Sequence, residues 1–247
     1  ESEKEKIEYY KMLQYFFFKQ WRALKEYANE KGIYIIGDIP IYVSADSADL
    51  WTNPKQFYVD KDIKPIDVAG CPPDAFTADG QLWGNPVYNW EYHKKTKYEW
   101  WKNRIGHCFK IYDVIRIDHF RGFDEFYCVP FGSENAKKGE WRKGPGLDLF
   151  KALKNEFGEL PIIAEDLGFL TDSVRKLLRD VGYPGMKVLQ FAFNPEEESD
   201  YIPHTYIKNT IVYTGTHDND TILGWDKSAN PAEVEYAKEY LRAKDAE

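Results

Sequence analysis

One pattern recurs along the chain and limits what it can become: a short β-branched or aromatic run that ends in acids, with a glycine at the turn. It occurs at Ile33-Tyr34-Ile35-Ile36 before Gly37-Asp38, and at Tyr112-Asp113-Val114-Ile115 before Arg116-Ile117-Asp118-His119-Phe120-Arg121-Gly122. It returns at Leu160-Pro161-Ile162-Ile163-Ala164 before Glu165-Asp166-Leu167-Gly168, and at Thr210-Ile211-Val212-Tyr213-Thr214 before Gly215-Thr216-His217-Asp218. Such runs read as buried strands. Val188–Phe193 is a further strand candidate without an acid at its end.

Helical stretches separate these runs. Residues 1–31 read as one long helix stopped by Gly32, with Tyr9, Met12, Leu13, Phe16, Phe17, Trp21, Leu24, Tyr27 and Ala28 on a stripe expected to pack against a sheet. Residues 92–110 and Leu147–Phe157 follow the same period. A further helix starts at Thr171 or Asp172 and runs to Val181. Asn230-Pro231-Ala232-Glu233 combines an N-cap, a proline at N1 and a glutamate at N3. Alternation of strand and helix implies a parallel sheet with helical crossovers. The fold class expected is α/β, specifically a (β/α)8 barrel, whose chemistry gathers at the carboxyl ends of the strands. A doubly wound sheet also alternates, but the chain has no G-x-G-x-x-G or G-x-x-x-x-G-K phosphate loop.

Two stretches interrupt the alternation. Residues 44–91 read as a long irregular insert whose aromatics include Trp51, Phe57, Phe76, Trp83, Tyr88 and Trp90, and a connection of that length suits a lid or binding loop. Gly84 and Pro86 are expected to fix the Trp83 ring. Residues 123–146 form a second long loop.

Composition removes several functional classes. The 247 residues carry a net charge of −8, which argues against nucleic acid or an anionic membrane as partner. Three cysteines without close spacing suit free thiols in a cytoplasmic setting better than disulfides or a zinc site. No apolar run approaches the roughly 18 residues of a membrane span. Aromatic residues reach 17%, and flat rings with polar edges suit sugars.

Acids at several strand ends point to glycosidic bond chemistry, in which one carboxylate attacks and a second carboxyl donates and then removes a proton. Arg116 and Asp118 are two apart, so a strand turns both to one face and the guanidinium keeps the carboxylate ionised. That suits a nucleophile. Glu165, after an apolar run, suits the acid/base, its pKa raised by burial. Asp218 with His217 suits a group that holds the sugar hydroxyls. Asp38, taken without the other strands, reads first as a cap for the turn before Pro40. Of each adjacent pair (Glu165/Asp166, Asp118/His119, His217/Asp218) a regular strand aims only one residue inward, and spacing does not say which. A metal-dependent hydrolase using His119, His217 and the aspartates lacks the H-x-H or H-E-x-x-H spacing. A carbohydrate-binding module has no use for acids at strand ends.

Five stretches together carry a resemblance: Ile115–Gly122, Ile162–Gly168, Gly215–Thr221, Gly37–Val43 and Gly80–Tyr88. Taken in their order along the chain they resemble the 4-α-glucanotransferases, or amylomaltases, of glycoside hydrolase family 77. The resemblance implies Asp118 as nucleophile, Glu165 as acid/base and Asp218 as transition-state stabiliser. It implies Arg116 and His217 as their partners, Asp38 as a brace for Arg116, and Trp83 and Phe76 as aromatics of the acceptor side. Asp74 and Asn219, within or beside these stretches, complete the expected substrate-binding set. Ala75 stands where some members carry tyrosine. The implied substrates are malto-oligosaccharides and α-1,4-glucan, with glucose as acceptor or product and no cofactor or metal. The same acids serve an α-glucan hydrolase. Five strands where a barrel needs eight imply that residues 1–247 are the central part of one catalytic barrel, about strands 3 to 7.

Overall fold

Strand β4 (Val114–Asp118), which carries the central motif, runs parallel to β1 (Ile36–Pro40), with Asp38 opposite Arg116 and Pro40 opposite Asp118. The computed structural model describes residues 3–73, 77–168 and 170–244. The chain divides after Ile162 into two units. Ile39 from β1, and Ile115 and Ile117 from β4, are almost wholly enclosed, and Arg116 between the last two is buried as well.

The strand at β1 lies three residues later than the sequence suggests. Ile33 and Tyr34 are exposed, and the Asp113 carboxylate takes the Ile35 N–H at 2.8 Å while Asn29 donates to the Ile33 carbonyl at 3.0 Å. Side chains thus satisfy the backbone there, and pairing begins at Ile36. As a result Asp38 sits mid-strand beside Arg116 and is not a turn cap.

The long helix α1 (Lys4–Glu30) forms as read, but most of its stripe is not core. Tyr9, Leu13, Phe16, Phe17, Leu24 and Tyr27 are exposed. Contact with the rest of the unit runs along the adjoining edge, where the Trp21 indole donates to the Ile111 carbonyl at 2.8 Å and Lys25 pairs with Asp113 at 3.2 Å. The apolar arc of α1 is wider than the edge along which it meets α4, so most of the arc stays uncovered.

The two supposed loops are one structure. Between α2 (Ala48–Thr52) and the later helices lie β2 (Asp67–Cys71) and β3 (Gln81–Pro86), an antiparallel pair. Beyond α3 (Trp90–Lys95), α4 (Glu99–Ile111) and β4, the second stretch supplies β5 (Glu125–Pro130) and β6 (Glu140–Lys143). They form a four-stranded antiparallel sheet in the order β3-β2-β5-β6. Turn formers between short strands hide this pattern in the sequence. The helix expected over 92–110 is broken into α3 and α4 at Lys97 and Tyr98, both left-handed. Helix α5 (Leu147–Phe157) ends at Gly158 as expected.

An aromatic core of Phe57, Tyr88, Trp90, Trp100, Trp101 and Phe123 supports this region. It also holds the segment that leaves β1: Tyr88 Oη donates to the Ile41 carbonyl at 2.7 Å, and Arg104 donates to the carbonyls of Ile41 at 3.0 Å and Pro40 at 2.6 Å. His93 is sealed inside, its Nε2–H donating to the Gln56 carbonyl at 3.1 Å. Burial pushes its pKa down to about 4. Between that value and the 6.5 of an unfolded chain, only the unfolded state binds the proton, so stability rises with pH. Acidification from pH 7 to 4 is expected to cost about 3 kcal/mol through His93. Denaturant titrations at both pH values check this, with His93→Met expected to remove that part of the slope.

In the second unit, β7 (Ile162–Ala164) leads to α6 (Asp172–Val181), whose N-cap Thr171 accepts from the Val174 N–H. Strand β8 (Gly185–Val188) pairs in parallel with β9 (Thr210–Tyr213), and α7 (Ile222–Ser228) and α8 (Pro231–Leu241) follow. The strand expected at Val188–Phe193 thus ends where it was to begin. Residues Leu189–Phe191 turn into a short 3-10 helix, with Gln190 N–H still donating to the Thr214 carbonyl at 3.2 Å. Asn230 caps α8 through the Ala232 N–H at 3.0 Å. Among the described residues no helix is long and apolar enough to cross a membrane, and no disulfide forms.

Candidate active site

In the first unit, the parallel register alone brings three charges together. Arg116 and Asp118 share a face of β4, and Asp38 projects from the paired position on β1. Arg116 Nη1 lies 2.7 and 2.6 Å from the two Asp38 oxygens and 3.1 Å from Asp118 Oδ1. The arginine side chain is 10% exposed, while those of Asp38 and Asp118 are 39% and 45% exposed. A buried cation therefore sits between two carboxylates that open to solvent. Asp38 satisfies most of its charge, and Asp118 keeps oxygen surface for a reacting group.

His119 leaves the strand in a left-handed conformation, with φ of 55°. Burial, reinforced by the Arg121 charge, pushes its pKa down to about 4. Its ring stands edge-on to the Trp83 indole, centroids 4.8 Å apart and planes at 88°. Trp83 is further held by its Nε1–H donating to Gln81 Oε1 at 3.0 Å and by the Tyr42 ring at 6.2 Å. Gly84 does adopt positive φ beside it, but these three neighbours fix the ring. Arg121 lies over the Trp141 ring, 4.1 Å from its centroid. Phe76 and Asp74 lie outside the described residues.

The second unit separates the Glu165/Asp166 pair. Asp166 is buried, and its Oδ1 accepts the Met186 N–H at 2.6 Å. Burial raises its pKa, opposed by that hydrogen bond. Gly185 passes so close that an added Cβ would lie 2.5 Å from Asp166 Oδ2. Asp166 is therefore committed to joining β7 and β8. Glu165 is only half buried, one oxygen accepting the Leu167 N–H at 2.7 Å, and is the carboxyl of the pair with surface to offer. Tyr201 Oη accepts the Gly168 N–H at 3.0 Å and so braces the same turn.

After β9, His217 Nε2 lies 3.4 Å from Asp218 Oδ1, with both side chains exposed. Asn219 Oδ1 accepts the Thr216 N–H at 2.9 Å and the Thr216 hydroxyl at 3.0 Å, and Gln190 donates to the Asp220 carbonyl at 2.8 Å. The amide oxygen of Asn219 thus shapes the loop. Sequence reasoning singled out neither the contact of His119 with Trp83 nor the anchoring of Asp166. Gly122 and Gly185 are their signals, each a glycine that a neighbouring side chain crowds.

Parallel strands with acids at their ends, beside an antiparallel sheet that presents a fixed tryptophan, define a mixed α/β protein. An amylomaltase of Streptococcus agalactiae, solved with acarbose, superposes with a TM-score of 0.93 at 49% identity over 96% of this chain and 48% of that one. A 4-alpha-glucanotransferase of Clostridium butyricum is 50% identical over 99% of this chain and 50% of its own length. One of Streptococcus pneumoniae is 54% identical over 98% and 48%. The chain spans about half the length of the curated relatives it matches. The family model described as 4-alpha-glucanotransferase, Glyco_hydro_77, matches residues 1–247. The chain belongs to that family.

Proposed function

We propose that this chain supplies the acids of a 4-α-glucanotransferase, which moves α-1,4-glucan segments between malto-oligosaccharides with retention at the anomeric carbon. Asp118 attacks that carbon to form a glycosyl-enzyme. Glu165 protonates the departing oxygen and then deprotonates the incoming sugar hydroxyl. Asp218, with His217, binds hydroxyls of the reacting ring as charge develops. Trp83 serves the acceptor side of a lid built on residues 44–91, whose base residues 123–146 complete, and the substrate-binding set includes Phe76, Asp74 and Asn219. Residues 1–247 stand as the central strands, about 3 to 7, of one (β/α)8 barrel, working in the cytoplasm without cofactor.

The observation that carries this reading is Arg116 held between Asp38 and Asp118 at 2.6 to 3.1 Å, in a chain of this family. Arg116 fixes the Asp118 carboxylate in place, as a nucleophile requires. A second reading, hydrolysis by the same acids, differs only in what resolves the glycosyl-enzyme. Incubating the natural polypeptide that carries this chain with maltotriose decides between them. Transfer is expected to give glucose together with products longer than maltotriose, and a mixture holding only shorter sugars would establish hydrolysis.

A further inference from the structure

The turn that presents Glu165 is pinned at both ends by residues with no part in the double displacement. Strand β7 stops at Ala164, and residues 165–167 belong to no regular element. At one end the buried Asp166 carboxylate takes the Met186 N–H. At the other, Gly168 turns with φ of 79°, and its N–H donates to the Tyr201 hydroxyl, 33 residues further along the chain. The Leu167 N–H that meets Glu165 lies between these two anchors.

The Tyr201 ring is itself held on several sides. Lys187 Nζ stands over it, 4.9 Å from the centroid, and the Phe191 ring lies at 88° to it with centroids 5.5 Å apart. Ser199 Oγ accepts the Tyr201 N–H at 3.1 Å, and the Tyr206 hydroxyl donates to the Tyr201 carbonyl at 2.6 Å. Burial raises the phenol pKa, opposed by the Gly168 hydrogen bond and reinforced by the Asp166 and Glu165 charges, so near neutral pH the hydroxyl keeps its proton.

We propose that Tyr201 is a positioning residue for Glu165, fixing the 165–168 turn so that the carboxyl stays within proton-transfer reach of the glycosidic oxygen. This rests on the reading of Glu165 as the acid/base. Asp166 alone holds the turn at one point, about which the rest swings. The Gly168 N–H is open to solvent, so removing the phenol oxygen leaves it a water partner and orphans no buried donor. What is lost is the tie, since water moves with the turn and does not hold it to the segment after β8. The Leu167 N–H then no longer meets Glu165 at a constant point. Protonating the departing oxygen needs a heavy-atom separation of about 2.6–3.2 Å, and a displacement near 1 Å costs on the order of 10²-fold. A donor whose leaving group departs without a proton is indifferent to that displacement.

The test uses the natural polypeptide that carries this chain and compares maltotriose with α-maltosyl fluoride as donor. Tyr201→Phe keeps the ring against Lys187 and Phe191 and loses only the hydroxyl, so its thermal melting is expected within a few degrees of the wild type. Its kcat on maltotriose is expected to fall at least tenfold, with KM within threefold. First-turnover release of fluoride is expected to stay within threefold, because a general loosening slows both donors and a misplaced acid only one. On a Glu165→Gln background, Tyr201→Phe is expected to add less than threefold, since the group through which it acts is gone. A maltotriose loss below tenfold, equal losses on both donors, or additive effects in the double variant would each overturn the proposal. Equal losses on the two donors from Glu165→Gln alone would instead overturn the reading of Glu165 as the acid.

Discussion

Asp118→Asn is expected to abolish glucan transfer while leaving the fold intact, with a loss of at least about 10⁴-fold, or roughly 5 kcal/mol of transition-state stabilisation. The carboxamide keeps the shape of the side chain and presents an oxygen to Arg116, but it does not form the glycosyl ester. The arginine remains held by both Asp38 oxygens at 2.6 and 2.7 Å, so no buried charge is orphaned. Thermal melting of the variant is accordingly expected within a few degrees of the wild type. A variant that keeps one-tenth of the transfer rate would remove Asp118 from the nucleophile role.

The second large effect is selective. Glu165→Gln is expected to slow transfer from maltotriose by about 10³-fold, the contribution of a positioned general acid. Release of fluoride from α-maltosyl fluoride is expected to fall less than tenfold, because fluoride leaves without a proton. Comparing the two donors side by side reads the role directly. Equal losses on both would mean that Glu165 is not the acid. Asp166 is a poor substitute, since its carboxylate is buried and spent on the Met186 N–H. Asp166→Asn is therefore a separate matter of how β7 and β8 are joined.

These expectations depend on features that were unequally legible in the sequence. Period and punctuation revealed α5, α6 and the start of α8, because caps and stopping glycines act locally. The acids were legible because a strand end places charged residues where a buried run stops. The position of β1 was not, because the Ile35 N–H is taken by Asp113, 78 residues further along the chain. Nor was the exposure of α1: a helical stripe tells that a face is apolar, not what lies against it. The resolution of Glu165 from Asp166 needed Gly185, a residue 19 positions further along (185 − 166 = 19), to come into contact. Long-range approach of this kind leaves no periodic trace.

The antiparallel sheet has a consequence for the way the first unit assembles. Its two halves come from opposite sides of β4, and the ion pair that ties them, Arg142 with Asp67 at 2.7 Å, joins residues 75 apart. Closing so long a loop costs chain entropy before any ladder bond forms, and the β1–β4 pairing carries the same cost, since Asp38 and Arg116 are 78 apart; each pairing once made lowers the cost of the other. Strand β3, which bears Trp83, is paired on one side only and so is a part of this sheet that opens readily. In the folded protein Trp83, proposed for the acceptor side, thus sits on a loosened edge, while Asp118 sits on β4, paired along its length with β1. A polypeptide that begins to melt would thus lose its choice of acceptor before it loses its capacity to attack.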